Sequence, residues 1–260
     1  MIQRLNWTDP LLAELAMPKG TMRLTRSLTS GLARCAADPA DVFWGVGDRG
    51  PNIKPKAAVG RYGLDALKDA AALDGAKVMP LPEEGPCLAR FRIAGDAVVL
   101  EAVFPLHAAN GARLSGLPLP LEGQESEPAL ALDGSPLGCD PDGADTEGLA
   151  CLPDGRLWIA EEYGPSLLLV ERDGTVVQRC VPEGTAAAFA GSAIPFAETL
   201  PPLALTRKLN RGFEALALSP DGSVLYAAFQ SPLSHPDRVA HEQSDVVRIW
   251  ALDPASGAFL

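Results

Sequence analysis

Three segments of this chain repeat one another, and the repeat limits the folds open to it. SGLARCAADPADVFWGVGDRGP begins at Ser30, EGLACLPDGRLWIAEEYGP at Glu147 and EALALSPDGSVLYAAFQSP at Glu214. Each carries a small residue, Leu and Ala, then a turn containing Pro or Asp, then an aromatic-bearing strand, a polar residue and a proline. In the Pro-Asp-Gly turns Pro presets φ and Gly supplies φ > 0, so two short apolar runs flanking such a turn form a hairpin. Hairpins repeated along a chain stack on one another to bury their apolar faces, as propeller blades do. The repeat therefore predicts an all-β fold, a β-propeller.

The remaining pattern agrees with strands at short spacing. Arg90 to Ile93 and Ala97 to Val103 read as a hairpin across Ala94-Gly95-Asp96, and LLLVERDGTVVQRCVP as another, turning at Asp173-Gly174. Residues 1–23 read as a lead-in, irregular or briefly helical, and 24–260 as the propeller domain. Leu64 to Leu73 is Ala-rich and predicts a short inserted helix. GLPLPLEGQ is excluded from a central strand because Pro removes a ladder donor. Residues 182 to 206 read as a long Pro-Ala loop, and DVVRIWALDPASGAFL as a last hairpin around Asp253-Pro254.

With 22 Lys and Arg against 33 Asp and Glu, the net charge is −11, which argues against nucleic acid or an anionic membrane as partner. No apolar run approaches the ~20 residues of a membrane helix, so membrane insertion is not expected. MIQRLNWTDPLLAELAMPKG places Asn6, Thr8, Asp9 and Glu14 where the apolar core of an export signal would lie. The five cysteines, Cys35, Cys87, Cys139, Cys151 and Cys180, are widely spaced and contain no CxxC. These features predict reduced thiols and a cytoplasmic chain, or a periplasmic or secreted one if the amino terminus is incomplete.

Asp145, Glu147, Glu161 and Glu162 all fall at one end of the second repeat's hairpin, where like charges repel unless a cation or proton is shared. The repeat sorts them. Ser30, Glu147 and Glu214 occupy one matched position, and Asp48, Glu162 and Gln230 another. If the repeats are arranged radially, these positions fall on one rim at a central channel. Asp48, Glu147, Glu162 and Glu214 are therefore the candidate metal ligands, and Ca²⁺ the candidate ion, because it accepts several oxygens in irregular geometry. Glu161 alternates to the strand face opposite Glu162. Arg49 and Arg211 stand beside acid positions and suit an anionic substrate, though an ion pair with the same acids is an equal reading. Lys54, Arg207 and Lys208 could add to an anion pocket. CDPDGADTE, with Asp140, Asp142 and Asp145, has the look of a calcium-binding turn without the full EF-hand pattern. His107, His235 and His241 form no HxH or HExxH, and Ser166 and Ser231 lack a nucleophile elbow.

SGLA at 30–33, DRGPN at 48–52, EEYGP at 161–165, NRGFEALALSPDG at 210–222 and QSPL at 230–233 resemble the phytase-like family of bacterial β-propellers, described as having esterase-like activity of phytase. The resemblance covers most of residues 25 to 255. It implies a propeller and phosphoric ester hydrolysis by analogy with calcium-dependent propeller phytases. On that reading Glu147, Glu162, Glu214, Arg49 and Arg211 would be catalytic, and the partner a small anionic substrate such as a phosphate ester. A non-catalytic binding propeller with structural ions and a lactonase-like hydrolase are the alternatives. Members of the family usually run on for a further blade, whereas this chain stops at Phe259-Leu260, so a closing blade is expected to be missing.

Overall fold

The structure, a computed structural model, describes residues 2–260. It begins with β1 (Leu11–Ala16) and β2 (Thr21–Thr25), an antiparallel ribbon where an irregular or helical lead-in was expected. Alternation decides this: Met22 and Leu24 turn inward on β2 while Thr21, Arg23 and Thr25 stay exposed. The remaining strands are β3 (Gly31–Ala33), β4 (Val42–Val46), β5 (Lys77–Val78), β6 (Cys87–Ala94), β7 (Ala97–Pro105), β8 (Ala129–Leu130), β9 (Thr146–Cys151), β10 (Leu157–Glu161), β11 (Ser166–Val170), β12 (Val176–Pro182), β13 (Phe196–Leu200), β14 (Phe213–Leu218), β15 (Leu225–Phe229) and β16 (Ile249–Leu252).

These strands form three main sheets. The first has the order β3-β4-β6-β7, the second β9-β10-β11-β12 with β13 added parallel to β12, and the third β14-β15-β16. Each sequence repeat supplies the first two strands of one sheet. The second sheet lies between the other two, which explains why LWIAE and SLLLV are buried without alternation. Trp158, Leu167 and Leu169 pack with Phe213, Phe229 and Trp250 of the third sheet. Leu157, Ile159, Leu168 and Val170 pack with Trp44, Val46 and Leu88 of the first. Period-two geometry thus sends neighbouring residues of one strand into two different cores.

The first strands of the three sheets meet backbone to backbone. A Cβ added to Gly31 would lie 2.4 Å from the Glu147 carbonyl oxygen, and one added to Gly148 would lie 2.7 Å from the Leu216 amide nitrogen. The small residue that recurs before Leu-Ala in each repeat is therefore a steric requirement of β3, β9 and β14 converging.

Several expected elements differ. The Ala-rich stretch forms only 3₁₀ turns, Asp65–Leu67 and Asp69–Ala72. The α-helix lies just before it: α1 (Pro55–Tyr62) starts with Pro at its first turn and stops at Gly63, whose φ of 73° closes it. The supposed 182–206 loop contains β13 and two 3₁₀ turns. The last hairpin has one strand, β16; its return is a single bridge between Leu252 and Phe259. A second short helix, α2 (Arg238–Gln243), precedes β16. No described helix is long and apolar enough to cross a membrane.

The expectation of reduced cysteines is also corrected. Cys35 and Cys151, 116 positions apart in the sequence, form a disulfide that joins the end of β9 to the segment after β3, their Cα atoms 5.3 Å apart. Neither spacing nor a CxxC signals it, because the pairing exists only once the first two sheets are side by side. Cys87 and Cys180 are buried free thiols, and Cys139 is exposed.

Candidate functional site

The acids reach one place through two local devices. The first is the hairpin mouth. The Glu162 amide donates to the Asp145 carbonyl at 2.9 Å, and the Gln230 amide to the Gly212 carbonyl at 3.0 Å, closing the second and third repeats alike. The second is a bulge. Thr146 faces Glu161 and Leu149 faces Ile159, so Glu147 and Gly148 stand opposite one residue of β10. Phe213 faces Phe229 and Ala215 faces Ala228, leaving Glu214 as the extra residue of β14. A bulge re-aims the side chain it carries, and here it acts on both acids at the same repeat position.

Asp48, Asp145 and Glu147 each offer a carboxylate oxygen, and these oxygens lie within 4.8 Å of one another. Glu147 is pushed up to about 8, first by burial and then by the charges of Asp48, Glu214 and Glu162, with the Ser30 hydroxyl opposing. Glu162 is pushed up to about 7, chiefly by burial; Arg49 opposes the rise and Glu214 adds to it. Glu162 lies beside the trio, its Oε2 3.8 Å from the Arg49 guanidinium that holds Asp145, and Glu214 stands on β14 where that strand's backbone meets β9 at Gly148. Among the described residues, no donor reaches the buried Oε1 of Glu162 or Oε2 of Glu214.

Beneath the acids lies Arg49, 4% exposed. Its guanidinium donates to Asp145 and Glu127, and to Asn210 Oδ1 at 2.5 Å, with Glu162 Oε2 at 3.8 Å. The Tyr163 ring stacks below it, 4.8 Å from Cζ to centroid, and the Tyr163 hydroxyl donates to the Gly116 carbonyl at 2.8 Å. Against the lowering that burial imposes, Asp145 and its neighbours hold Arg49 charged. Burial pushes the Asp145 carboxyl up, Arg49 pulls it down, and Asp48 and Glu147 push it up again.

The sequence candidates therefore separate. Asp48, Glu147, Glu162 and Glu214 converge. Arg49 is taken up by ion pairs, the alternative set beside the phosphate contact. Arg211 is exposed and bonds Gln230 and the Asn210 carbonyl. Glu161 faces away: it accepts from the Tyr163 and Gly164 amides and Ser166 Oγ, and pairs with buried Arg179 at 3.2 Å. Asp140 and Asp142 of CDPDGADTE accept from Ser115, Ser192 and Ala193, which fastens the loop to its neighbours. Asp145, which does not recur between repeats, belongs to the cluster after all. Glu127 carries no periodic or motif signal; Tyr163 and Asn210 fall within the EEYGP and NRGFEALALSPDG segments, next to the candidates Glu162 and Arg211, and that adjacency is the signal that could have found them.

The chain is mostly β, and its first two sheets bring three carboxylates, Asp48, Asp145 and Glu147, close enough together to hold a metal ion. The family model of phytase-like proteins, described as "esterase-like activity of phytase", matches residues 28–260, and the chain belongs to that family. An uncharacterized secreted protein of Arthroderma benhamiae is 30% identical over 103 residues, which is 35% of this chain and 20% of that protein. The chain thus matches about a fifth of that curated relative's length. Regucalcin of Agrobacterium tumefaciens, a calcium-binding protein, is 13% identical with a TM-score of 0.30, covering 95% of this chain and 73% of the other. A protein of Bacteroides uniformis provisionally identified as a 6-phosphogluconolactonase is 14% identical with a TM-score of 0.29, covering 92% and 73%.

Proposed function

We propose that the chain is a metal-dependent ester hydrolase of propeller architecture, with phosphoric esters as its substrates and Ca²⁺ as its ion. The observation that carries this is the buried Oε1 of Glu162, without a donor, beside carboxylates that outnumber the one guanidinium under them. Buried acids in that state retain protons or take a cation. Membership of the phytase-like family supports ester hydrolysis as the reaction.

Asp48, Asp145, Glu147 and Glu162 would hold the ion, with Glu214 at its side. A hard divalent cation there supplies charge neutralisation of the substrate oxygens and a lowered pKa for water. The chain's own residues do the rest. Arg49 is a positioning residue: bonded to Asp145 and stacked on Tyr163, it fixes where the carboxylates point. Burial and neighbouring acids raise Glu147 to about 8 and Glu162 to about 7, so both would hold protons at neutral pH, Glu147 more fully, and would give them up to a bound cation. Hydrolysis then breaks the ester bond, water's hydroxyl joining phosphorus and its proton leaving with the alcohol.

Purified protein should turn over p-nitrophenyl phosphate in calcium and stop when the ion is chelated. Glu147→Gln and Glu214→Gln should each lose at least tenfold in kcat/KM. Turnover of a lactone and not of phosphate esters would move the chain to the lactonase reading. No turnover of phosphate ester, carboxylic ester or lactone, with chelation lowering the melting temperature, would leave a binding propeller with a structural ion. The Cys35–Cys151 disulfide and the secreted relative support an oxidising, extracytoplasmic compartment over the cytoplasm.

A further inference from the structure

On a chain of net charge −11, one cleft is cationic. It holds about 440 Å³ and is lined by Lys54, Lys56, Lys77, Lys208 and Arg211. That volume falls within the roughly 300–1,000 Å³ usual for small-molecule sites. Its acids are exposed Asp74 and Glu127, and Glu127 is taken by Arg49 and by Lys77 at 3.3 Å. Among the described residues, no carboxylate lies within 4.0 Å of the ammonium groups of Lys54, Lys56 or Lys208.

The local helix reinforces the charge. α1 opens onto this cleft with Lys54 as its N-cap and Lys56 in its first turn. It has no side-chain cap and no acidic residue in that turn. A helix start is the positive end of the backbone dipole and ordinarily carries acids, so two lysines there cost stability unless an anion joins them. Lys208 and Arg211 bring further positive charge from the loop before β14.

The cleft also abuts the carboxylate cluster. Glu127 and Asn210 line it, and both bond the Arg49 guanidinium that holds Asp145. The geometry points to an anion subsite that needs no metal and receives a small polyanion, a ligand with two or more oxyanion groups. Four of its five cations are lysines, which act as point charges and suit compact, dense charge such as phosphate. As a substrate subsite it rests on the hydrolase reading; as a binding site it does not.

The test is binding of tripolyphosphate to the full chain in excess EDTA, by calorimetry, with citrate as the carboxylate counterpart. Wild type should bind tripolyphosphate, and more weakly as salt rises. The triple variant Lys54→Gln/Lys56→Gln/Lys208→Gln should bind at least tenfold more weakly with its melting temperature retained or raised. A wild type that fails to bind tripolyphosphate, or a folded triple variant that binds it as wild type does, overturns the subsite whatever the hydrolysis assays give. Citrate binding more tightly than tripolyphosphate overturns the preference for phosphate. If no ester is ever hydrolysed and lysine-dependent binding persists, the cleft stands and the hydrolase reading falls.

Discussion

Arg49 and Asp145 form an ion pair in which one partner is 4% exposed and the other fully buried, linking the end of the first repeat to the start of the second. The same guanidinium serves Glu127. Breaking a buried pair by deleting one partner costs about 3–5 kcal/mol, because a charge is left without compensation. Arg49→Met should lower stability by that order in chemical denaturation. Adding Asp145→Asn to Arg49→Met should return part of it, since the stranded charge is removed. A double variant as unstable as the sum of its singles would show that the two residues do not act as a pair.

Gly148 is predicted to be intolerant in a way that Gly60 is not. A methyl group on Gly148 would press into the backbone of Ala215 and Leu216 on the neighbouring sheet, and backbone cannot swing aside. Overpacking of this kind costs about 1–3 kcal/mol. Gly60 lies within α1, and a methyl group there would have nothing within 4 Å of it. Gly60→Ala should stabilise by about 0.5–1 kcal/mol through helix propensity and the unfolded chain. Thermal melts of the two variants should move in opposite directions.

The mostly-β class and the hairpins were legible, and which acids lie together was partly so, for one reason. Repetition reports what each repeat does in the same way: the small residue at Gly31, Gly148 and Ala215, the hairpins, and the acids at Glu147 and Glu214. It says nothing about what one repeat does alone. Asp145 has no recurring counterpart, yet its place at the hairpin mouth puts it beside Arg49. Glu127 sits in the GQESEP loop, where nothing local distinguishes a buried acid from a solvated one. The disulfide escaped for the same reason, since Cys35 and Cys151 meet only through the packing of two sheets. The Ala-rich stretch shows the opposite failure: helical propensity without an apolar face to bury gave 3₁₀ turns, while the real helix took the segment with Pro at its start and Gly at its end.

Reduction should weaken the protein measurably. A cross-link closing 116 residues restricts the unfolded chain, and by the loop-entropy argument a loop of about that length contributes roughly 2–5 kcal/mol. Cys35→Ser/Cys151→Ser should lower the denaturant midpoint accordingly, and reductant should lower wild type to the same value without moving the variant. Non-reducing peptide mass spectrometry should recover a linked pair containing both cysteines.

The carboxylate cluster predicts an inverted pH dependence between pH 5 and 8. The ordinary carboxyl value of 4.5 rises to about 8 for Glu147 and about 7 for Glu162 in the folded state. Below about 4.5 both carry their protons whether folded or not, and the fold loses nothing through them. As pH climbs, the unfolded chain releases these protons first while the native chain keeps them, so stability falls, and it levels off above about 8. Each retained proton corresponds to a slope of at most about 1.4 kcal/mol per pH unit, reduced at half-buried Glu147 by solvent screening. Asp38, Asp221 and Asp253 act oppositely, their lowered values adding stability as pH rises from strongly acid conditions. In chelator, the melting temperature should peak near pH 5 and decline toward 8. Glu147→Gln should flatten the decline, because a neutral amide has no proton to lose. Calcium displaces the same protons, so its stabilisation should be small at pH 5.5 and largest at pH 8. A melting temperature that is level from pH 5 to 8 and indifferent to calcium would show that these carboxylates are solvated and hold no ion.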